Sequence, residues 1–394
     1  MTKLKIRAHQ YVWLVSCKRE LLTQTQATAS QVQALPFDIL YLVTANCYDD
    51  NKTLQALSLT CKGLWEEAVR HLWQSIQIDE PTSYEIMKRA ESIAARPRCA
   101  RYIKNLLVSI APMDLDTTFP WENPGTRTHR TLHAIETAMS LMDNLVALKL
   151  YIGLGGAERA VSSAMSRLVS LASFRLQFFS TSMVIVEELK PFLEAQTEII
   201  YFEVRGGWFS DTAILGQNSI LSNPGILPNL KHLTYSARGV EEVVRGRPVQ
   251  GLNARHVDFA SIYPLVSAMN ASATPITRLE VEFTDPQRLV RPFLDALTLM
   301  GLSDRQQKRD CVLETLEIHA RDYSNFDSAE PLDPGFLKIM RCGFPRLQTL
   351  SLRGNLIPHA AWKPEQYAGP ALRTVRGDDF SLEFLENEGM WVER

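Results

Sequence analysis

The sequence predicts an α/β protein in which a small N-terminal unit of three helices precedes an irregular solenoid of alternating strands and helices with a parallel, strand-lined face. Three observations carry this. Apolar residues crowd at helical spacing into residues 35–73, short apolar triplets then recur down the chain, and helical patterns stand between several of them. A chain of 394 residues exceeds the usual single core, so several domains or one extended array is expected.

Composition narrows the classes. With 45% hydrophobic and 22% charged residues the chain is of ordinary globular make-up. A formal charge of −2 shows none of the Lys/Arg excess that marks a nucleic-acid footprint, so no nucleic-acid partner is expected. Cys17, Cys47, Cys61, Cys99, Cys311 and Cys342 form no C-x-x-C pair, which fits free thiols in the cytosol or nucleus. Lys3, Lys5 and Arg7 precede an apolar patch, Tyr11 to Val15, too short for a signal-peptide core; the first acidic residue is Glu20, which leaves a mitochondrial presequence open. No apolar run approaches a membrane span, so no membrane partner is expected.

Residues 1–30 read as a tail or linker, because the polar stretch Thr23 to Gln33 has little to bury. The patch Tyr11 to Val15 could still pack along the first repeats as a cap. A docking module is placed at residues 31–78. Pro36 suits a first helical turn, and Ile39, Leu40, Leu42 and Val43 are read as one stripe of the first helix, ended by Asp49, Asp50 and Asn51. A second helix is expected over Thr53 to Leu59. Thr60 is placed as the cap of a third, which buries Leu64, Trp65, Ala68, Val69, Leu72 and Trp73. So small a unit cannot hide this much apolar surface internally; either the downstream domain or a partner covers it.

Residues 34–78 resemble an F-box, particularly the fungal kind. The matching elements are Leu35-Pro36, Ile39-Leu40, the run Leu57 to Lys62, and Leu72-Trp73 followed by Ile76 and Ile78, all in order and covering about an eighth of the chain. The resemblance implies docking onto a Skp-type adaptor and through it a cullin-RING ubiquitin ligase. The residues expected to supply that module are Leu35, Pro36, Ile39, Leu40, Leu57, Leu59, Cys61, Leu64, Trp65, Leu72 and Trp73.

Residues 79–394 are assigned to the solenoid and its C-terminal cap. The triplets are Ile103/Leu106/Val108, Leu145/Leu148/Leu150, Leu171/Phe174/Leu176, Ile199/Phe202/Val204, Leu230/Leu233/Tyr235, Ala254/Val257/Phe259, Ile276/Leu279/Val281, Leu313/Leu316/Ile318, Leu347/Leu350/Leu352 and, weakly, Leu372/Val375. Most lie roughly 22 to 37 residues apart, near or above the leucine-rich-repeat range. Helical patterns intervene at Thr131 to Met142, Glu158 to Leu168, Met183 to Leu193 and Leu289 to Met300. Only Leu347, Leu350, Leu352 and Asn355 match the full leucine-rich-repeat consensus. The Asn position elsewhere holds Gly153, Phe179, Gly207, Arg238, Ile262, Thr284 or Arg321. A conventional α/β domain with a parallel sheet is the alternative.

Catalytic motifs are absent from the sequence. Gly153, Gly155 and Gly156 sit where a dinucleotide fingerprint would, but Glu158 replaces its third glycine. His129 and His133 share helix spacing, yet Arg130 stands where a zincin has Glu. Neither a G-x-S-x-G elbow nor a P-loop occurs, and Glu187-Glu188 and Glu241-Glu242 are adjacent pairs that point apart on a helix. No cofactor or metal is expected. The F-box resemblance implies that the chain is a non-catalytic substrate-recognition subunit of an SCF-type ligase, tethering an unknown target near the charged conjugating enzyme. An interaction scaffold acting without ubiquitin transfer is the alternative, and an enzyme ranks third. Strand alternation places Lys149, Tyr151, Arg175, Arg205, Glu280 and Glu282 among the residues of the target-facing surface, with charges ordered basic, acidic, basic.

Overall fold

The computed structural model describes residues 36–47, 50–80, 82–110, 124–152, 164–168, 174–182, 189–205, 220–306, 312–320, 344, 346–353, 374–376, 381–385 and 390–393. The expected tail over residues 1–30, Leu35, the glycines at 153, 155 and 156, and Asn355 lie outside them. The chain divides into two compact units, Met1–Leu72 and Trp73–Arg394. The boundary expected after residue 78 therefore moves back, and Trp73, Ile76 and Ile78 belong to the second unit.

The first unit holds helices α1 (Phe37–Ala45), α2 (Asn51–Leu57) and α3 (Lys62–Leu72). Pro36 opens α1, and its carbonyl accepts the N–H groups of Ile39 and Leu40. Asp50 caps α2 by accepting from the backbone of Lys52 and Thr53. Its hydrogen bond with the Thr53 hydroxyl, followed by that from the Thr53 backbone, holds its carboxyl below the usual value. Thr60 does not cap α3; its hydroxyl donates to the Leu57 carbonyl and closes the turn after α2. Leu40, Thr44, Leu54 and Ala68 make the buried centre, with the Thr44 hydroxyl satisfied by the carbonyls of Leu40 and Tyr41. A Cβ on Gly63 would stand 2.6 Å from Leu40 Cδ1, so this glycine is what lets α3 close against α1.

The second unit is one sheet whose thirteen described strands follow chain order without a crossover. They are β1 (Ser75–Asp79), β2 (Asn105–Ile110), β3 (Ala147–Ile152), β4 (Phe178–Thr181), β5 (Tyr201–Val204), β6 (His232–Ser236), β7 (Gly251–Val257), β8 (Arg278–Phe283), β9 (Thr315–Ala320), β10 (Thr349–Arg353), β11 (Thr374–Arg376), β12 (Ser381–Leu385) and β13 (Met390–Glu393). Every pairing from β1 to β11 is parallel, and the last two are antiparallel. A doubly wound sheet reverses its strand order at a switch point; this one does not, and its sequential order is that of a solenoid. Described helices between strands include α4 (Ser83–Ala94), α5 (Pro97–Ala100), α6 (Pro124–Met139), α7 (Lys190–Ala195), α8 (Val240–Val244), α9 (Ile262–Ala271) and α10 (Pro286–Gln306). Among the described residues no helix is long and apolar enough to cross a membrane.

Register explains the core. Ile76, Leu106, Leu148, Phe179, Phe202, Leu233, Leu252, Leu279, Leu316 and Leu350 stand side by side across ten strands, all buried. Three residues earlier in each turn from β2 to β10 stands a second buried apolar group: Ile103, Leu145, Leu176, Ile199, Leu230, Val249, Ile276, Leu313 and Leu347. Two of the expected triplets were thus set five residues out of register. The fourth turn is Leu176/Phe179/Thr181 rather than Leu171/Phe174/Leu176, and the seventh is Val249/Leu252/Ala254 rather than Ala254/Val257/Phe259. Phe259 is accordingly exposed.

A backbone device repeats with the register. One carbonyl before each strand accepts two consecutive N–H groups from the next turn: Gln74 from Lys104 and Asn105, Lys104 from Val146 and Ala147, and so on to Glu314 from Gln348 and Thr349. Asn144 and Asn229 add side-chain bonds on this entry side, to the carbonyls of Arg101 and Thr197. Between β6 and β7 the fully buried Arg247 donates to the carbonyls of Leu221, Asn223, Ile226 and Val243.

Candidate protein-docking surfaces

The first surface lies on the helical unit. On α1 the positions 40 and 44 face inward, while Ile39, Leu42 and Val43, at i, i+3 and i+4, share the outward face. The expected single stripe is therefore two. Ile39, Tyr41, Leu42 and Val43 are between 39% and 55% exposed, which makes α1 apolar on both sides but buried on one. Leu59 and Cys61 are exposed in the turn between α2 and α3, Pro36 is exposed, and Leu57, Leu64, Trp65 and Leu72 are half-buried. Leu40 serves the internal core. Trp73 packs on the core of the other unit. Leu54, fully buried at the centre of α2, was not singled out by sequence; its signal is its spacing to Leu57 within one helix face.

The second surface is the sheet face opposite the apolar rows. Alternation puts Lys149, Ser180, Glu203, Thr234, Asn253, Glu280 and Glu317 side by side along it. Below this row Phe178 stacks on Tyr201 with ring centroids 4.5 Å apart, Tyr201 meets His232 at 6.2 Å, and the Lys149 ammonium stands 5.5 Å from the Phe178 ring. A Cβ on Gly251 would lie 2.6 Å from His232 Nδ1, so glycine there makes room for the imidazole. Burial, with the charges of Arg278 and Lys231, keeps His232 below the usual histidine range.

Charges on this face are interleaved rather than segregated. Glu203, buried in the sheet face, accepts from Ser180 Oγ at 2.7 Å, Arg205 Nε at 2.7 Å and Arg255 at 3.2 Å. Burial alone would raise its carboxyl; the bonds from Arg205 and Ser180 and the two guanidinium charges outweigh it and hold the group low. Arg205 also stands 5.4 Å from the Tyr151 ring, and Arg255 reaches Glu282 at 3.9 Å. Arg278 lies 2.7 Å from Glu317 and 3.9 Å from Glu280. These pairs mix both signs within the expected basic and acidic blocks, while the expected last basic block, Arg353 and Arg376, lies outside the described side chains. Arg255 was missed because of a bulge between Ala254 and Val257, where His256 has a φ of 55°. Of the expected target-facing residues, Lys149, Tyr151, Arg205, Glu280 and Glu282 lie on or at the end of face strands. Arg175 lies ahead of β4, exposed between the buried Phe174 and Leu176, and so is off the ladder.

No family model matches this chain, and no curated protein matches it. Among solved structures it is similar to a chain in the crystal structure of the yeast Rad7 and Elc1 complex, with 12% identity, a TM-score of 0.35, and coverage of 95% of this chain and 98% of that chain.

Proposed function

We propose that this chain is a non-catalytic adaptor that joins a Skp-type partner to a target protein, with residues 36–72 acting as an F-box and the sheet unit as a degenerate leucine-rich-repeat receptor. The observation that carries this is α1, where among the described side chains Leu40 and Thr44 are buried while Ile39, Tyr41, Leu42 and Val43 are exposed. Exposed apolar side chains on one short helix mark a protein-binding face. Ile39, Leu42 and Val43, with Leu59 from the following turn, are the anchors of that interface. The sequential parallel sheet supports the receptor role, since strand-lined solenoid faces present extended arrays of side chains. In this reading the chain works in the cytosol or nucleus within an SCF-type complex and contributes proximity rather than chemistry: it raises the effective concentration of a target lysine near the conjugating enzyme.

The test is co-purification of the full chain with a Skp-type adaptor and a cullin. Recovery of both supports the adaptor role in ubiquitin transfer. Recovery of the Skp-type protein without cullin supports the scaffold reading, and recovery of neither removes the F-box assignment.

A further inference from the structure

We propose that Glu280, Glu317 and His319 form a binding site for a divalent transition-metal ion of zinc's type on the strand face. The proposal rests on the register of β8 and β9, not on the docking role. Glu280 pairs with Glu317 across the two strands, and His319 stands two residues beyond Glu317, so all three side chains leave the same face from neighbouring positions. One ligating atom of each lies within 4.8 Å of the other two. His319 Nε2 is 3.3 Å from Glu280 Oε1 and 3.8 Å from Glu317 Oε2. A tetrahedral zinc with bonds of about 2.0–2.1 Å sets its ligand atoms about 3.3–3.4 Å apart. The histidine–Glu280 edge has that length already, and the others need small closures.

The remaining carboxylate oxygens are turned away from this point. Arg278 takes Glu317 Oε1 at 2.7 Å and lies 3.9 Å from Glu280 Oε2, which leaves Glu317 Oε2 and Glu280 Oε1 aimed at the imidazole. An outer cation that fixes carboxylates in this way is how metal sites orient their ligands. Three electron-rich atoms facing one another need a positive charge between them. A proton on Nε2 would direct its N–H at one acceptor, yet Nε2 is closed to solvent and makes no hydrogen bond among the described residues. A metal sits between the three atoms and needs no such line. One imidazole and two carboxylates suit zinc or a similar borderline ion, and the strand-face side leaves a coordination position for water or for a donor from a bound protein.

The experiment uses the full chain, stripped with a chelator and titrated with zinc chloride by calorimetry. Zinc is expected to bind and to raise the melting temperature. Glu280→Gln with His319→Gln should lower the stoichiometry by one equivalent, while His133→Gln, at an exposed position of α6, should leave it unchanged. If the double variant loses its circular dichroism, His319→Gln alone must weaken that equivalent at least about tenfold. Cobalt(II) in place of zinc should bind at the same site without a thiolate charge-transfer band. No uptake by the folded chain, uptake unchanged in the folded variants, or a thiolate band lost on cysteine alkylation would each overturn the site.

Discussion

Glu203 on β5 and Arg255 on β7 meet at 3.2 Å across the intervening strand β6, and the same carboxylate holds Arg205 at 2.7 Å. This ties two turns of the sheet across a third through one buried acid. Glu203→Gln keeps the side-chain shape and loses the charge that both guanidinium groups use. A charge-assisted bond contributes about 1.5–3 kcal/mol, and the value here should fall at the low end because Arg205 is half-exposed and can turn to water. Urea unfolding measures it.

The same acid sets a pH dependence. Its folded value lies below the ordinary 4.5, so its stabilisation is complete above that pH and is lost as pH falls through the folded value. The difference in stability between the native chain and Glu203→Gln should therefore be constant near neutrality and shrink below about pH 4.5. A difference that persists undiminished well into acid would show that the effect of Glu203 is steric.

Arg247 gives a second expectation. Burial pushes its guanidinium down to about 10, still protonated at neutral pH, and its donors satisfy four main-chain carbonyls. Arg247→Met should cost about 3 kcal/mol or more by leaving those carbonyls unpartnered. Arg247→Lys should recover little, because one compact ammonium cannot reach carbonyls spread around a planar fork. Chemical denaturation of both variants checks this, and full recovery by lysine would contradict it.

Much of this architecture was legible in the sequence because the apolar triplet is a direct image of the strand register. It failed where the third position was not a large apolar residue. Thr181 and Ala254 occupy that position in β4 and β7, and apolar residues five positions away mimic a triplet in each case. The first turn, Trp73/Ile76/Ile78, carries a full triplet, and the same residues match the end of the F-box pattern. The helical unit was legible as three helices. Which side of α1 is buried was not, because a helix apolar all round has no periodicity to read; the deciding contact, Leu40 against Gly63, is tertiary. On the strand face the charged residues were found but not their pairing, which joins residues up to 52 positions apart.

For the target surface, Lys149→Glu with Tyr151→Ala should reduce recovery of co-purifying target proteins and leave the adaptor bound. Arg175→Glu should change neither, because that residue lies off the strand ladder. Loss of target with Arg175→Glu alone would move the receptor surface to the loops ahead of the strands.

The central claim is that the outward face of α1 is the adaptor interface. The measurement is the dissociation constant of a purified Skp-type adaptor for the native chain and for Ile39→Ala with Leu42→Ala, alongside the melting temperature of each. Both side chains are exposed, so the melting temperature should stay unchanged. Each large apolar group buried in an interface is worth about 1.5–3 kcal/mol, so binding should weaken by more than about tenfold. Equal affinity of the folded double variant, or no binding by the native chain, would contradict the account.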